Sequence, residues 1–186
     1  MLFSPLQPLW TARRAGLFVA LAVAAASLAA KPASAQEIAA CGQFAWSVNR
    51  ELALFASSNL PQAASGATLE FSSDHGASAA LELQPNDAVP FVVAPSRRPK
   101  TENSFGGLVM ISNIPKAQAY QVSISGEGWI DIIQDGKALA STGHSGRRDC
   151  PSVHKSVRFD LQPGTATVQV SGTLEKSIKL AILPAE

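Results

Sequence analysis

Three histidines are the first candidates for chemistry: His75 in Ser73-Asp74-His75-Gly76, and His144 and His154 on either side of Cys150. With Asp74, Asp149 or a glutamate they supply the residue types of a two-histidine, one-carboxylate iron site. The spacing lacks the His-x-His pair with a following glutamate that cupin-type metal sites use, and histidines beside glycine and serine are ordinarily solvated. For nucleophilic catalysis, Gly143-His144-Ser145-Gly146 comes nearest to a nucleophile elbow, but the glycine required two residues after the serine is Arg147. Ser145, His154 and Asp149 are the types of a hydrolytic triad, a set that any serine-rich chain offers. No catalytic residue is assigned on this basis.

The loop from Gly143 to His154 is richer in binding chemistry. His144, Arg147, Arg148, His154 and Lys155 gather positive charge there, and arginine forks suit carboxylates and phosphates. The simpler reading is a solvated loop, and the functional one is a ligand-binding loop on a rigid scaffold. A second basic run, Arg97-Arg98-Pro99-Lys100, reads as part of an exposed loop over Pro95 to Ser104.

The two cysteines, Cys41 and Cys150, invite a disulfide in an oxidising compartment. The bridge would close a loop for which chain entropy gives roughly 4–5 kcal/mol as an upper figure. A second reading makes Ile38-Ala39-Ala40-Cys41 a lipobox and Cys41 a lipid anchor. Lys31, Pro32 and Glu37 separate that motif from the apolar run that a lipobox normally closes.

Export is the expectation from the N-terminus. Arg13-Arg14 precedes an apolar run from Ala15 to Ala30, and Ala33-Ser34-Ala35 before Gln36 fits a small-x-small cleavage site. Residues 1–35 therefore read as a signal peptide and 36–186 as a single domain. The apolar run is shorter than the roughly 20 residues of a spanning helix, so no transmembrane segment is expected in the mature chain. Cleavage removes Arg13, Arg14 and Lys31, which takes the net charge from +1 to +1 − 3 = −2. A weakly acidic product has no global attraction for nucleic acid.

The elements that would position these residues are mostly strands. Phe44, Val48, Leu52 and Phe55 fall on one helical face, with Asn49, Arg50 and Glu51 between them, and predict a short helix over Val48 to Ser57 with Ser47 as N-cap. Trp46 reads as a packing residue. Ser57 to Ala67 reads as a loop. Strands are expected at Thr68–Phe71, Ser78–Leu83, Gly107–Ile111, Ala119–Ser125, Trp129–Gln134, Lys137–Ser141, Val157–Leu161, Ala166–Ser171 and Ile178–Leu183. Val89 to Ala94 carries Pro90 and reads as an edge strand or extended segment. Asp135-Gly136 predicts a type I′ hairpin, which needs positive φ at both central residues. The whole predicts a mainly β, antiparallel, jelly-roll-like β-sandwich with one short N-terminal helix.

Cys41 with Phe44-Ala45-Trp46 and Arg50-Glu51, Tyr120-Gln121-Val122, Gly128-Trp129-Ile130-Asp131, Gln134-Asp135-Gly136, and Cys150-Pro151 with Lys155 to Phe159 resemble small exported bacterial proteins of unknown function. Some of these carry the automatic label homogentisate 1,2-dioxygenase. That label implies a non-haem iron (Fe) enzyme, for which His75, His144 and His154 are the available ligands. Gln162-Pro163-Gly164 leading into Thr167 to Val170 resembles the end of β-sandwich accessory domains of secreted peptidases. The functional expectation is an exported, non-catalytic binding or envelope-associated module, periplasmic or secreted, whose partner is a small molecule, a glycan or an envelope protein. A metal-dependent enzyme is the alternative.

Overall fold

The computed structural model describes residues 39–186. The signal peptide expected over 1–35 lies outside them. Strand periodicity dominates the described chain, and two six-stranded sheets face one another across an apolar interior. The strands in chain order are β1 (Gln62–Ala64), β2 (Thr68–Glu70), β3 (Ala77–Glu82), β4 (Gln84–Pro85), β5 (Phe105–Ile114), β6 (Gln118–Ile124), β7 (Trp129–Gln134), β8 (Lys137–Ala138), β9 (Gly143–Gly146), β10 (Lys155–Leu161), β11 (Gly164–Thr173) and β12 (Ser177–Pro184).

The first sheet runs β1-β3-β12-β6-β10-β9, and the second runs β2-β5-β11-β7-β8 with β4 also on β5. Pairing is antiparallel apart from β1 with β3 and β2 with β5. The expected β-sandwich is present, with these parallel pairs added at its margins. Alternation decides which side chains meet inside. Tyr120, Val122 and Ile124 of β6, Val157, Phe159 and Leu161 of β10, and Leu180 and Ile182 of β12 point inward, opposite Ile130, Ile132, Val168 and Val170 of the second sheet. Phe71 meets Tyr120 edge-on, with ring centroids 5.5 Å apart.

The single described helix of this length, α1 (Asn49–Ala56), lies on the outer face of the first sheet. Cys41, Phe44, Val48, Phe55, Cys150, Val153 and Ala181 form a second apolar cluster beneath it. The expected disulfide is there: Cys41 and Cys150, 109 positions apart, are bonded with their Cα atoms 4.8 Å apart. Its use of the Cys41 sulfur leaves no thiol for the lipid anchor of the alternative reading.

Several local expectations need correction. The helix begins at Asn49 and Val48 takes the N-cap position, while the Ser47 hydroxyl accepts from the Asn49 N–H at 3.3 Å. Glu51, read as polar filler between apolar positions, is fully buried against the sheet. Gln62–Ala64 and Gly143–Gly146, read as loop, are short marginal strands held by β3 and β10. Val89–Ala94 joins neither sheet, which leaves the extended-segment alternative and removes the edge strand, and the return strand after Asp135-Gly136 stops at Ala138. The hairpin itself matches, with φ of 52° at Asp135 and 72° at Gly136.

Residues 89–100 run as a strap over the outer face of the second sheet. A segment without its own ladder must find partners for its backbone elsewhere. Gln169 of β11 supplies them: its side-chain oxygen accepts from Val92 N–H at 2.7 Å, and its amide donates to the Val93 carbonyl at 2.9 Å. Asp131 of β7 continues the row by accepting from the Ser96 N–H at 3.1 Å and from the Ser96 hydroxyl.

Candidate functional site

Where the strap leaves Ser96 it delivers Arg97, Arg98 and Lys100 to one end of the sandwich. Four other segments meet it there: the Gly126–Trp129 turn between β6 and β7, Gly146–Arg148 from the end of β9, His154–Lys155 at the start of β10, and Ser171–Gly172 of β11. Together they line a pocket of about 290 Å³.

Strand parity places the deepest cation. Lys155 precedes Val157, Phe159 and Leu161 on the inward row of β10, so it ends the core row at the pocket. Its ammonium donates to the Gly128 carbonyl and lies 5.1 Å from the centre of the Trp129 ring. Arg97 lies 5.2 Å from the same ring. The indole is fixed in turn, because its N–H donates to the Ser96 hydroxyl at 2.6 Å and to Asp131 at 3.1 Å. Trp129 thus holds two cations near one surface, and each gains the attraction of an aromatic face. Burial lowers the pKa of Lys155 below the usual lysine value, and the positive charges of Arg97 and Lys100 add to the effect while Glu127 opposes it.

The outer wall is organised by ion pairs. Arg147 grips Asp149 through two bonds of 2.9 and 2.7 Å, and Arg148 meets Glu127 at 3.1 Å. The contact with Arg147 holds the Asp149 carboxyl below, and the Arg147 guanidinium above, their ordinary values. Both members of that pair are open to solvent, so the pair orders the loop more than it stabilises the fold. Arg97, Arg98, Lys100 and Lys155 have no carboxylate within ion-pair distance among the described residues.

Of the five residues expected in a binding loop, Arg147, Arg148, His154 and Lys155 line this pocket. His144 does not; it sits on β9 opposite Val157. The run Arg97 to Lys100, expected to be a solvated loop, forms the facing wall. Nothing in its own composition marks that role, since it depends on Gln169 and Asp131 far along the chain. Trp129 was legible only as a strand residue.

The histidines do not form a metal centre. His75 lies in the turn between β2 and β3, His144 on β9 and His154 in the pocket, and no group of three or more His, Cys, Asp or Glu among the described residues is placed to hold an ion. The residues present therefore do not fit the iron that the dioxygenase label implies. The Ser145 hydroxyl is already engaged in accepting from the Ala45 N–H at 3.0 Å. The Nδ1 atom of His154 is buried without a hydrogen-bond partner. Trp46 packs as expected, its N–H donating to Ser156 at 2.9 Å and its ring 4.3 Å from the Arg158 guanidinium.

No family model, curated protein or solved structure matches this chain. Among the described residues no helix is long and apolar enough to cross a membrane.

Proposed function

We propose that the protein is a binding module for anionic ligands, exported to the periplasm or beyond, and that the pocket at the strap end of the sandwich is its site. The observation that carries this reading is convergence. Two basic segments about 50 positions apart, one on the strap and one on the β9–β10 loop, meet across one pocket, and four of their cations lack a carboxylate partner among the described residues. Like charges brought together repel unless a counter-charge arrives, and a bound anion supplies it. The disulfide and the apolar run at residues 15–30 support the exported setting.

Thermal unfolding with increasing sulfate, phosphate, citrate and acetate tests the reading, because a ligand that binds the folded state raises its melting temperature. The expected result is a saturable rise with the multivalent anions that Arg97→Gln and Lys155→Gln each weaken. Equal rises in wild type and both variants would reduce the effect to general salt action and sink the proposal.

A further inference from the structure

The pocket's cations fall into two groups. Arg147 and Arg148 are already neutralised by Asp149 and Glu127, and the Arg148 side chain is 83% exposed. Lys155 and Arg97 are held beside Trp129 with no carboxylate partner among the described residues, and Arg98 and Lys100 flank them on the strap. Lys155 is in addition half-buried, with its ammonium fixed on the Gly128 carbonyl. Charge demand is therefore concentrated on one wall, and the other wall offers charges that already cancel.

Size narrows what can meet that demand. A space of about 290 Å³ is at the lower end of small-molecule pockets, which run from roughly 300 to 1,000 Å³. Several negative charges spread over a large ligand would not reach the unpaired wall together. The charge must sit on one compact group. A carboxylate brings one charge and two acceptor oxygens, and a phosphodiester also brings one charge. A phosphomonoester brings between one and a half and two charges near neutral pH and three acceptor oxygens, which suit an ammonium and a guanidinium fork at once.

Resting on the anion-binding reading, we infer that the pocket selects a phosphomonoester group over singly charged carboxylates and phosphodiesters. Arg97 and Lys155 take the phosphoryl oxygens, and the ion-paired wall of Arg147 and Arg148 faces the uncharged remainder of the ester. Trp129 acts as a positioning residue. Its ring keeps the two cations in place before the ligand arrives, and such preorganisation lowers the entropy lost on binding.

Calorimetric titration distinguishes this inference from the reading beneath it. The probes are glucose 6-phosphate, glucuronate and dimethyl phosphate, with inorganic sulfate as a dianion whose charge is constant across the range. Glucose 6-phosphate is expected to bind at least about tenfold more tightly at about pH 8 than at about pH 5, because its phosphate takes its second charge near pH 6. Protein groups at the pocket that titrate or carry charge include His154 just before β10, Lys155 on β10, Glu127 on the turn, Asp149 beyond the ion-paired wall, and Glu175, whose carboxylate faces Gly126. Any change that comes from them appears equally with sulfate. A rise for the phosphate ester with flat or falling sulfate affinity supports the inference.

Glucuronate or dimethyl phosphate binding as tightly as glucose 6-phosphate would overturn the selection and leave an unselective anion site. No binding of any probe would remove both readings. Trp129→Phe keeps an aromatic surface but loses the indole N–H to Ser96 and Asp131, and is expected to weaken the phosphate ester and sulfate alike at about pH 8 while circular dichroism and the pH dependence of the ester stay unchanged. Unchanged affinity for both would count against Trp129 as a positioning residue. Sedimentation with vesicles separates the sources of the group. Capture by phosphatidate and not phosphatidylglycerol vesicles assigns a lipid headgroup, and binding of the sugar phosphate without capture assigns a soluble ester. Equal capture by both vesicles overturns the selection.

Discussion

The outer faces of the two sheets are covered by different means. On the first sheet, α1 brings its own backbone hydrogen bonds and needs only to bury a face. It does so over the cluster of Phe44, Val48, Phe55 and Val153, with the disulfide beside it. On the second sheet, the strap has no ladder of its own, and the sheet's side chains must satisfy its backbone. Both faces contain buried polar residues, but with different partners. Glu51 accepts from Gln121 at 2.5 Å and from Ser123 at 3.2 Å beneath the helix, whereas Gln169 and Asp131 bond the strap. A helix can be held by apolar contact and a tether; a strap is held at defined atoms. The second arrangement fixes where each residue of the segment lies, and the basic residues that line the pocket come from its end.

The largest effect is expected on the helix side. Replacing both cysteines by serine should lower stability by about 2–5 kcal/mol, read from urea unfolding. Hydrogen exchange should then show α1 opening first while the amides of Val92 and Ser96 remain protected. Simultaneous loss of protection at both faces would mean that the two covers are one cooperative unit, and the contrast drawn between them would fail.

Gln169→Leu attacks the strap in the same way. It removes the acceptor of the Val92 N–H and the donor to the Val93 carbonyl, at a cost of about 1–3 kcal/mol for buried groups left unpaired. It should also weaken anion binding, because Arg97 and Lys100 lose their fixed approach. Unchanged affinity in this variant would separate the strap from the pocket. Ser123→Ala, beneath the helix, deletes bonds to Glu51 and Ser156 and is expected to cost about 1 kcal/mol with anion binding intact.

The smallest effect concerns pH. The folded-state pKa of Lys155 is lowered, so the unfolded chain binds more protons between that value and the ordinary lysine value of 10.5. Stability contributed by this residue therefore rises with pH in that alkaline window. Anion affinity falls over the same window as the ammonium is lost. Lys155→Gln should abolish both trends in a comparison of melting temperatures with and without phosphate.

The sandwich was legible because alternation in Tyr120 to Ile124, Val157 to Leu161 and Ile178 to Ile182 is a local signal that burial on one face imposes. The Asp135-Gly136 turn was legible for a similar reason, since few residue pairs tolerate its backbone. The Cys41–Cys150 bridge followed from there being only two cysteines. The pocket was half legible. The cluster around Arg147 could be seen as a run of charge, but its partnership with Arg97 depends on Gln169, Asp131 and Trp129 holding a strap, a long-range arrangement that leaves no periodic trace. Glu51 was misread because a single glutamate at helical spacing gives no sign that Gln121 and Ser123 wait opposite it. The strands Gln62–Ala64 and Gly143–Gly146 were missed because segments that short are made by their neighbours.

Each sheet path ends on a very short strand: β1 of 3 residues and β9 of 4 in one, β2 of 3 and β8 of 2 in the other. A long free edge is a template on which another chain can add a strand, and brief edge strands are one way that natural β proteins avoid it. The dozen strands of the described residues thus offer little long edge for self-templating, and at high concentration the domain should resist the edge-to-edge aggregation to which so much β structure would otherwise expose it.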